Sequence, residues 1–262
     1  MKAFLALLEK ELKIVFSSPI AYVFIGLFLT IAGFFFYNIM AWFDRISMQS
    51  MAYAQMYRMP PQPINVNMMA LRPFFHNLTI IALFLLPGFT MRLFAEEKRQ
   101  GTLELLETSP ITNWQLTLAK FTAAWILWGI TLALTGILVG MLFFFGNPEV
   151  GQILSGYLGM FLVGGAFIAI GMWFSTLTEN QIVAFISALG ANLVLLSLGW
   201  LSNFAGATLG KIFANIDPIG HFDDFAKGVI DTKHIVFYVS FIFMGIFLSF
   251  MSVESARWRG SR

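Results

Sequence analysis

IAYVFIGLFLTIAGFFFYNIMAWF, residues 20–43, contains no charged side chain from end to end. A bilayer core about 30 Å thick is crossed by roughly 20 apolar helical residues. Backbone groups in lipid must pair within their own segment, so such a run is a helix and not a loop. Five more runs of this kind follow: 73–91, interrupted only by His76, then 121–145, 150–178, 181–210 and 235–253. None alternates polar with apolar residues as the strands of a membrane barrel would. The chain therefore reads as an all-α integral membrane protein with six transmembrane helices.

Composition agrees. Of 262 residues, 58% are hydrophobic and 11% charged, against about 25% charged in an ordinary soluble domain. Sixteen Lys and Arg stand against fourteen Asp and Glu, which leaves no clustered basic face for a nucleic acid. Cysteine is absent, which excludes disulfides and thiolate metal sites. The opening segment carries Lys2, Glu9, Lys10, Glu11 and Lys13 and has no apolar core of the signal-peptide kind. Phe4, Leu7, Leu8, Leu12 and Val15 share one helical face, opposite Glu9, Lys10 and Lys13. Residues 1–18 are thus expected to form an amphipathic helix in the membrane interface, with Pro19 turning the chain into the first crossing. Glu11 falls on the apolar face among Phe4, Leu8 and Val15. Its carboxylate is expected either to pair with Arg92 or Arg99 or to snorkel to the headgroups.

The predicted organisation is one membrane domain over residues 1–262, with crossings at 20–43, 73–95, 113–145, 150–178, 180–210 and 235–254. Between them lie an external loop at 44–72, a cytoplasmic loop at 96–112 and an external segment of surface or re-entrant helices at 214–234. Six crossings put both termini on one side. That side holds ten of the sixteen Lys and Arg residues, which makes it cytoplasmic by the positive-inside rule.

Catalytic motifs are missing. His76, His221 and His234 match no metal-ligand spacing. His221 and His234 read as loop residues, and His76 as a packed or wetted one. Gly206-Ala-Thr-Leu-Gly210-Lys211-Ile212 is one residue short of a P-loop and has Ile where Ser or Thr would hold Mg²⁺. Within the membrane the polar candidates Asn38, Asn77, Asn192 and Ser197 carry no charge, so an ion or proton relay is not expected there. Gly136 and Gly140, and Gly164, Gly165 and Gly171, are small-residue positions suited to helix contacts.

The informative connector is Ala95-Glu-Glu-Lys-Arg-Gln-Gly-Thr-Leu-Glu-Leu-Leu-Glu-Thr-Ser-Pro-Ile-Thr112. Gly101 is expected to end one helix. Thr102 is expected to cap a short one with Glu104 near its positive end, and Pro110 to stop it. Thr112-Asn-Trp-Gln115 reads as a capping box that opens the third long helix. Start and stop signals this definite point to a short rigid helix parallel to the membrane, with Leu103, Leu105 and Leu106 as its apolar surface.

Glu96-Glu97-Lys98-Arg99-Gln100-Gly101-Thr102-Leu103-Glu104, followed by Ser109-Pro110-Ile111, resembles the cytoplasmic loop of ABC-2 type transporter permeases. Ser175-Thr-Leu-Thr-Glu-Asn-Gln181 resembles that family's turn between the fourth and fifth helices. Asp217-Pro-Ile-Gly-His-Phe-Asp-Asp-Phe-Ala-Lys-Gly228, with Ile230-Asp231 after it, resembles the gliding-motility (GldF-type) subgroup. The resemblance implies an ABC-2, type V exporter-like, permease fold and a non-enzymatic membrane subunit. It implies two separate ABC ATPase subunits that bind the ATP and Mg²⁺, a second permease as homodimer or heterodimer, and a place in a bacterial inner membrane. It puts Glu97, Gly101, Thr102, Glu104, Leu106 and Glu107 at the ATPase-docking surface. Phe222 and Phe225 become an external gate, and Glu11 part of the N-terminal interfacial helix that transmits the motion. The competing reading is a stand-alone secondary transporter or channel, and it lacks the intramembrane charges such proteins use.

Overall fold

The computed structural model describes residues 2–60, 65–102, 112–202 and 204–260. Its helices are α1 (Lys2–Ser17), α2 (Pro19–Tyr57), α3 (Arg72–Thr90), α4 (Arg92–Gln100), α5 (Asn113–Phe145), α6 (Val150–Leu177), α7 (Gln181–Ser202), α8 (Gly206–Ile216), α9 (Pro218–Ala226) and α10 (Thr232–Gly260). A π-helical turn, Asn67–Leu71, leads into α3. Six helices are long and apolar enough to cross a membrane, α3 and α4 counting as one. No strand occurs among the described residues, and the fold is an all-α multi-pass membrane bundle.

Local chemistry sets the boundaries. The Ser18 hydroxyl accepts the Ile20 N–H and Pro19 occupies the first turn of α2, where its missing N–H costs nothing. α2 then runs for 39 residues, roughly 58 Å at 1.5 Å per residue. It continues past the apolar run through Asp44 to Tyr57, so half of the expected loop at 44–72 is helix. No Gly or Pro lies between Gly33 and Pro60 to stop it, and it ends on Arg58 in the left-handed region at φ 54°. Thr112 and Gln115 form the capping box of α5. Asp217 caps α9 by accepting the Ile219 and Gly220 N–H groups at 2.9 and 3.0 Å.

The second crossing breaks at Met91, four residues after Pro87. Ser175 of α6 mends the break. Its hydroxyl accepts the Phe94 and Ala95 N–H groups, each at 3.0 Å, and donates to the Met91 carbonyl at 2.8 Å.

α6 is the central pillar: 72% of its most apolar window is buried, against 17% for α7. Its glycines let neighbours reach its backbone. A Cβ on Gly156 would fall on the Phe75 ring, on Gly159 against Phe225, on Gly164 inside the Trp128 indole and on Gly171 against the Thr90 hydroxyl. The Trp128 Nε1–H donates to the Met160 carbonyl at 3.0 Å, and the Trp125 Nε1–H to the Phe161 carbonyl at 2.9 Å. Each of these carbonyls lies one helical turn before a glycine, Gly164 and Gly165 in order. In a helix the side chain at i+4 stands over the carbonyl of i, so glycine there opens the oxygen to an indole. The Gly136–Gly140 pair behaves differently. Gly140 has no atom of this chain within 4 Å of a built Cβ, and Gly136 meets only the Tyr157 hydroxyl, at 3.9 Å. Within the chain this pair therefore does not mediate a close helix approach.

The contrast is testable. Gly164→Ala should lower the thermal midpoint of the purified protein in detergent, because Trp128 is fully buried and cannot yield. Overpacking of this kind costs about 1–3 kcal/mol. Gly140→Ala should leave the protomer's midpoint unchanged, and equal midpoints for the two variants would refute the packing described.

Candidate functional site

The end of the bundle that carries α1 is held by charges. Lys120, about two turns into α5, is 3% exposed, and so is Glu11 of α1. The Lys120 ammonium meets Glu11 Oε2 at 3.2 Å and Glu97 Oε1, from α4, at 2.7 Å. One cation thus ties together the interfacial helix, the helix that enters the 103–111 connector and the helix that leaves it. Leu7 and Val15 flank Glu11 on the buried face of α1, and the Phe94 ring lies 5.4 Å from the ammonium. Arg92 is committed elsewhere, to Glu96 at 2.7 Å and to the Ser18 hydroxyl at 3.2 Å. The expected partner of Glu11 is therefore corrected: it is Lys120, neither Arg92 nor Arg99 nor the headgroups. Proximity decides this, because Lys120 faces α1 from the helix packed beneath it.

The remaining coupling residues divide. Glu97 is turned inward on Lys120. Gly101 ends α4 in the left-handed region at φ 68°, with its N–H on the carbonyls of Glu97 and Lys98. Thr102 donates its hydroxyl to the Glu97 carbonyl at 3.3 Å. Glu104, Leu106 and Glu107 lie outside the described residues. Beside the triad opens a cavity of about 430 Å³, bordered by Lys10, Ile14, Arg92, Glu96, Gln100 and Thr102. Two further clips close this end. Asn113 donates to Glu254 at 2.6 Å, and the Lys98 ammonium to the Thr176 carbonyl at 2.5 Å.

The opposite end is closed by α9, whose Phe222 and Phe225 are fully buried. Arg72 holds Asp223 at 2.6 Å, and His76 stands 3.4 Å from the same oxygen. Burial pushes the Asp223 carboxyl upward, but hydrogen bonds from Lys227 and Arg72 outweigh it and hold the group below the usual carboxylate range. Gln152 of α6 donates to the Ala226 carbonyl at 2.7 Å, and Tyr238 of α10 to the Pro218 carbonyl. His221 and His234, read as loop residues, are paired side chains: Nδ1 faces Nδ1 at 2.5 Å. Their separation of thirteen residues across a turn gave the sequence no signal for this. Among the described residues no three His, Asp or Glu side chains converge as metal ligands. Asn192, singled out as a polar intramembrane residue, is fully buried on α7 with neither amide atom hydrogen-bonded. Asn38 donates to the Phe34 carbonyl and Ser197 to the Val194 carbonyl on their own helices.

Removing one partner of a buried ion pair strands the other and costs about 3–5 kcal/mol. Lys120→Met should therefore destabilise the purified protein by that order, read as a fall in thermal midpoint. The triple variant Lys120→Met, Glu11→Leu, Glu97→Gln should recover most of the loss, since no uncompensated charge remains. A triple variant no more stable than the single one would mean that packing, and not charge, holds α1 in place.

Comparison with known proteins adds the family. A family model described as ABC-2 family transporter protein matches residues 44–222. The probable multidrug ABC transporter permease YbhR of Escherichia coli strain K12 is 30% identical over 138 residues, which cover 52% of this chain and 37% of that protein. The protein of the same name from Escherichia coli O157:H7 aligns with the same figures. The chain thus matches little more than a third of the length of these curated relatives. Six apolar crossings, a bundle end fastened by buried charge around the connector, and a family match over more than half of the residues lead to one assignment: the chain belongs to the ABC-2 family of transporter proteins.

Proposed function

We propose that this chain is the membrane-spanning permease subunit of an ABC-2 transporter, in which ATP hydrolysed by two separate ATPase subunits drives export or work on the cell envelope. The observation that carries the reading is the Glu11–Lys120–Glu97 triad. A lever must be stiff where it is pushed, and this triad braces both ends of the connector against α1 at a single ammonium. In this reading the segment 102–108 is the coupling helix, seated in a groove of the ATPase. Leu106 supplies apolar burial, Glu104 and Glu107 meet basic groups of the partner, and Gly101 and Pro110 bound the lever. Glu97 and Thr102 serve docking from behind, by fixing where the helix starts. A second permease, the same chain or a related one, completes the pathway. The end with α1 faces the cytoplasm of a bacterial inner membrane, and α9, with Phe222 and Phe225, closes the outer mouth as a gate.

Two cargo classes separate by chemistry. The segment 217–231 resembles the gliding-motility subgroup and favours envelope or motility work, whereas the relatives' name is that of a multidrug permease. Loss of drug tolerance on deletion, with motility and envelope intact, would select the second.

Docking is tested by co-purification. Leu106→Asp should cut recovery of the ATPase at least tenfold, since it puts a charge into an apolar contact of about 1.5–3 kcal/mol. Glu104→Lys should do so only if its carboxylate is enclosed, because a rim pair is worth about 0–1 kcal/mol. Full ATPase recovery and full ATP-dependent activity in both variants would remove the coupling role. For orientation, the chain has no cysteine, so Gln100→Cys can be probed alone. An impermeant thiol reagent should leave it unmodified in intact cells and modify it after permeabilisation, and labelling in intact cells would invert the topology.

A further inference from the structure

His221 and His234 link α8, α9 and α10 through three contacts in series. His234 Nε2 meets Asp224 Oδ2 at 2.9 Å, the two Nδ1 atoms meet at 2.5 Å, and His221 Nε2 meets the Asn215 carbonyl at 3.1 Å. Each contact needs one proton. The outer two end on oxygen acceptors, a carboxylate and a carbonyl, and the middle one lies between two ring nitrogens, of which only one can donate. Two neutral imidazoles bring two protons. The chain of bonds is complete only with a third. Its location is fixed by Asp224, whose carboxyl the His234 hydrogen bond holds below the usual carboxylate range. The extra proton therefore resides on the imidazole pair.

We propose that His221 and His234 form a binding site for one shared proton, and that its occupancy pins α9 onto α10. The proposal goes beyond the transport reading and holds whichever side this end faces. Its surroundings are built for a single charge. His234 is 4% exposed. The His221 ring stacks on Phe237 at 4.0 Å between centroids, and the His234 ring lies 6.1 Å from Phe225. The charged groups around the pair are Asp224, Asp217, Asp231 and Lys233, with Asp223, Lys227, Arg72 and His76 beyond them in their own cluster. α6 and α7 contribute no charged side chain. The Tyr157 hydroxyl on α6 is engaged with Thr135, and Lys211 on α8 is exposed. Burial lowers the His221 pKa and outweighs the hydrogen bond to the Asn215 carbonyl, which raises it. A histidine depressed in this way gains its own charge only below the ordinary range near 6.5. A fourth proton then sets two N–H groups against each other at the Nδ1 contact. Deprotonation at the other extreme leaves one of the three contacts without a hydrogen. α9 is thus held best between two titrations and loosens on acidification.

With only three histidines in the chain, selective ¹⁵N-histidine labelling of the full protein in lipid nanodiscs gives a direct reading. At pH 7 a scalar coupling across the hydrogen bond should join the Nδ1 atoms of His221 and His234. His76→Gln should leave that coupling in place. Hydrogen exchange of residues 218–226, corrected for intrinsic rates, should accelerate as the pH falls below 6, by up to about tenfold per pH unit, the limit for one linked proton. His221→Phe, which keeps the stack on Phe237, should abolish that slope. Absence of the coupling in the unmodified protein would overturn the proposal. So would an unchanged exchange slope in His221→Phe.

Discussion

The bundle depends on how closely other helices can approach the backbone of α6. In a bilayer there is no hydrophobic gain from helix association, so packing and satisfied polar groups must hold the helices together. α6 meets this with glycines at the positions where Phe75, Phe225, Trp128, Trp125 and Thr90 reach it. The indoles of Trp125 and Trp128 are large enough to fill those gaps, and each has one N–H that must be satisfied. Setting each indole over a carbonyl uncovered by a glycine solves both requirements with one side chain. The Ser175 hydroxyl does comparable work further along α6, where the second crossing, broken at Met91, exposes backbone donors at Phe94 and Ala95.

With the centre fixed by packing, the two ends are fixed by charge. The α1 end gathers Glu11, Lys120, Glu97, Arg92, Glu96, Asn113 and Glu254, and the other gathers Arg72, Asp223, Lys227 and the histidine pair. Between these girdles the helices are apolar. The two ends differ in how they meet α6: α1 packs on α5 and α2, whereas α9 seats Phe225 against Gly159 of α6 and takes a hydrogen bond from Gln152.

Much of the architecture was legible because bilayer thickness and backbone satisfaction turn apolar run length into helix number. Helix caps were legible for a local reason: Thr112 with Gln115, and Asp217 before Pro218, act within one turn. The far end of α2 was not, because the end of an apolar run was read as the end of a helix. Asp44 leaves the lipid, yet nothing between it and Pro60 breaks the backbone. The site was half legible. A carboxylate on the apolar face of α1 marked Glu11 for a partner or for the headgroups, and Lys120 was not among the partners considered. Lys120 lies 109 residues away and had been counted only as a topological charge. The histidine pair was hidden by the same distance effect, and the Ser175 mend by its being a single hydroxyl among many. The connector's own residues from Leu103 to Ile111 are outside the described chain, so their reading still rests on sequence.

The depth of the triad bears on how force would pass through the chain. Two carboxylates and one ammonium, with Glu11 and Lys120 buried and Glu97 half-buried, are not an economical way to stabilise a protein, since apolar residues of the same volume often do better. Their value is geometric. An ammonium shared between α1 and α4 has narrow positional tolerance, because displacing either helix by an ångström breaks a charge-assisted contact that water cannot easily replace. Apolar contacts between the same helices would slide. In the coupling role proposed above, small movements of the connector would reach the bundle through the first kind of contact, and Lys120, about two turns into the helix that follows the connector, stands where it would receive them.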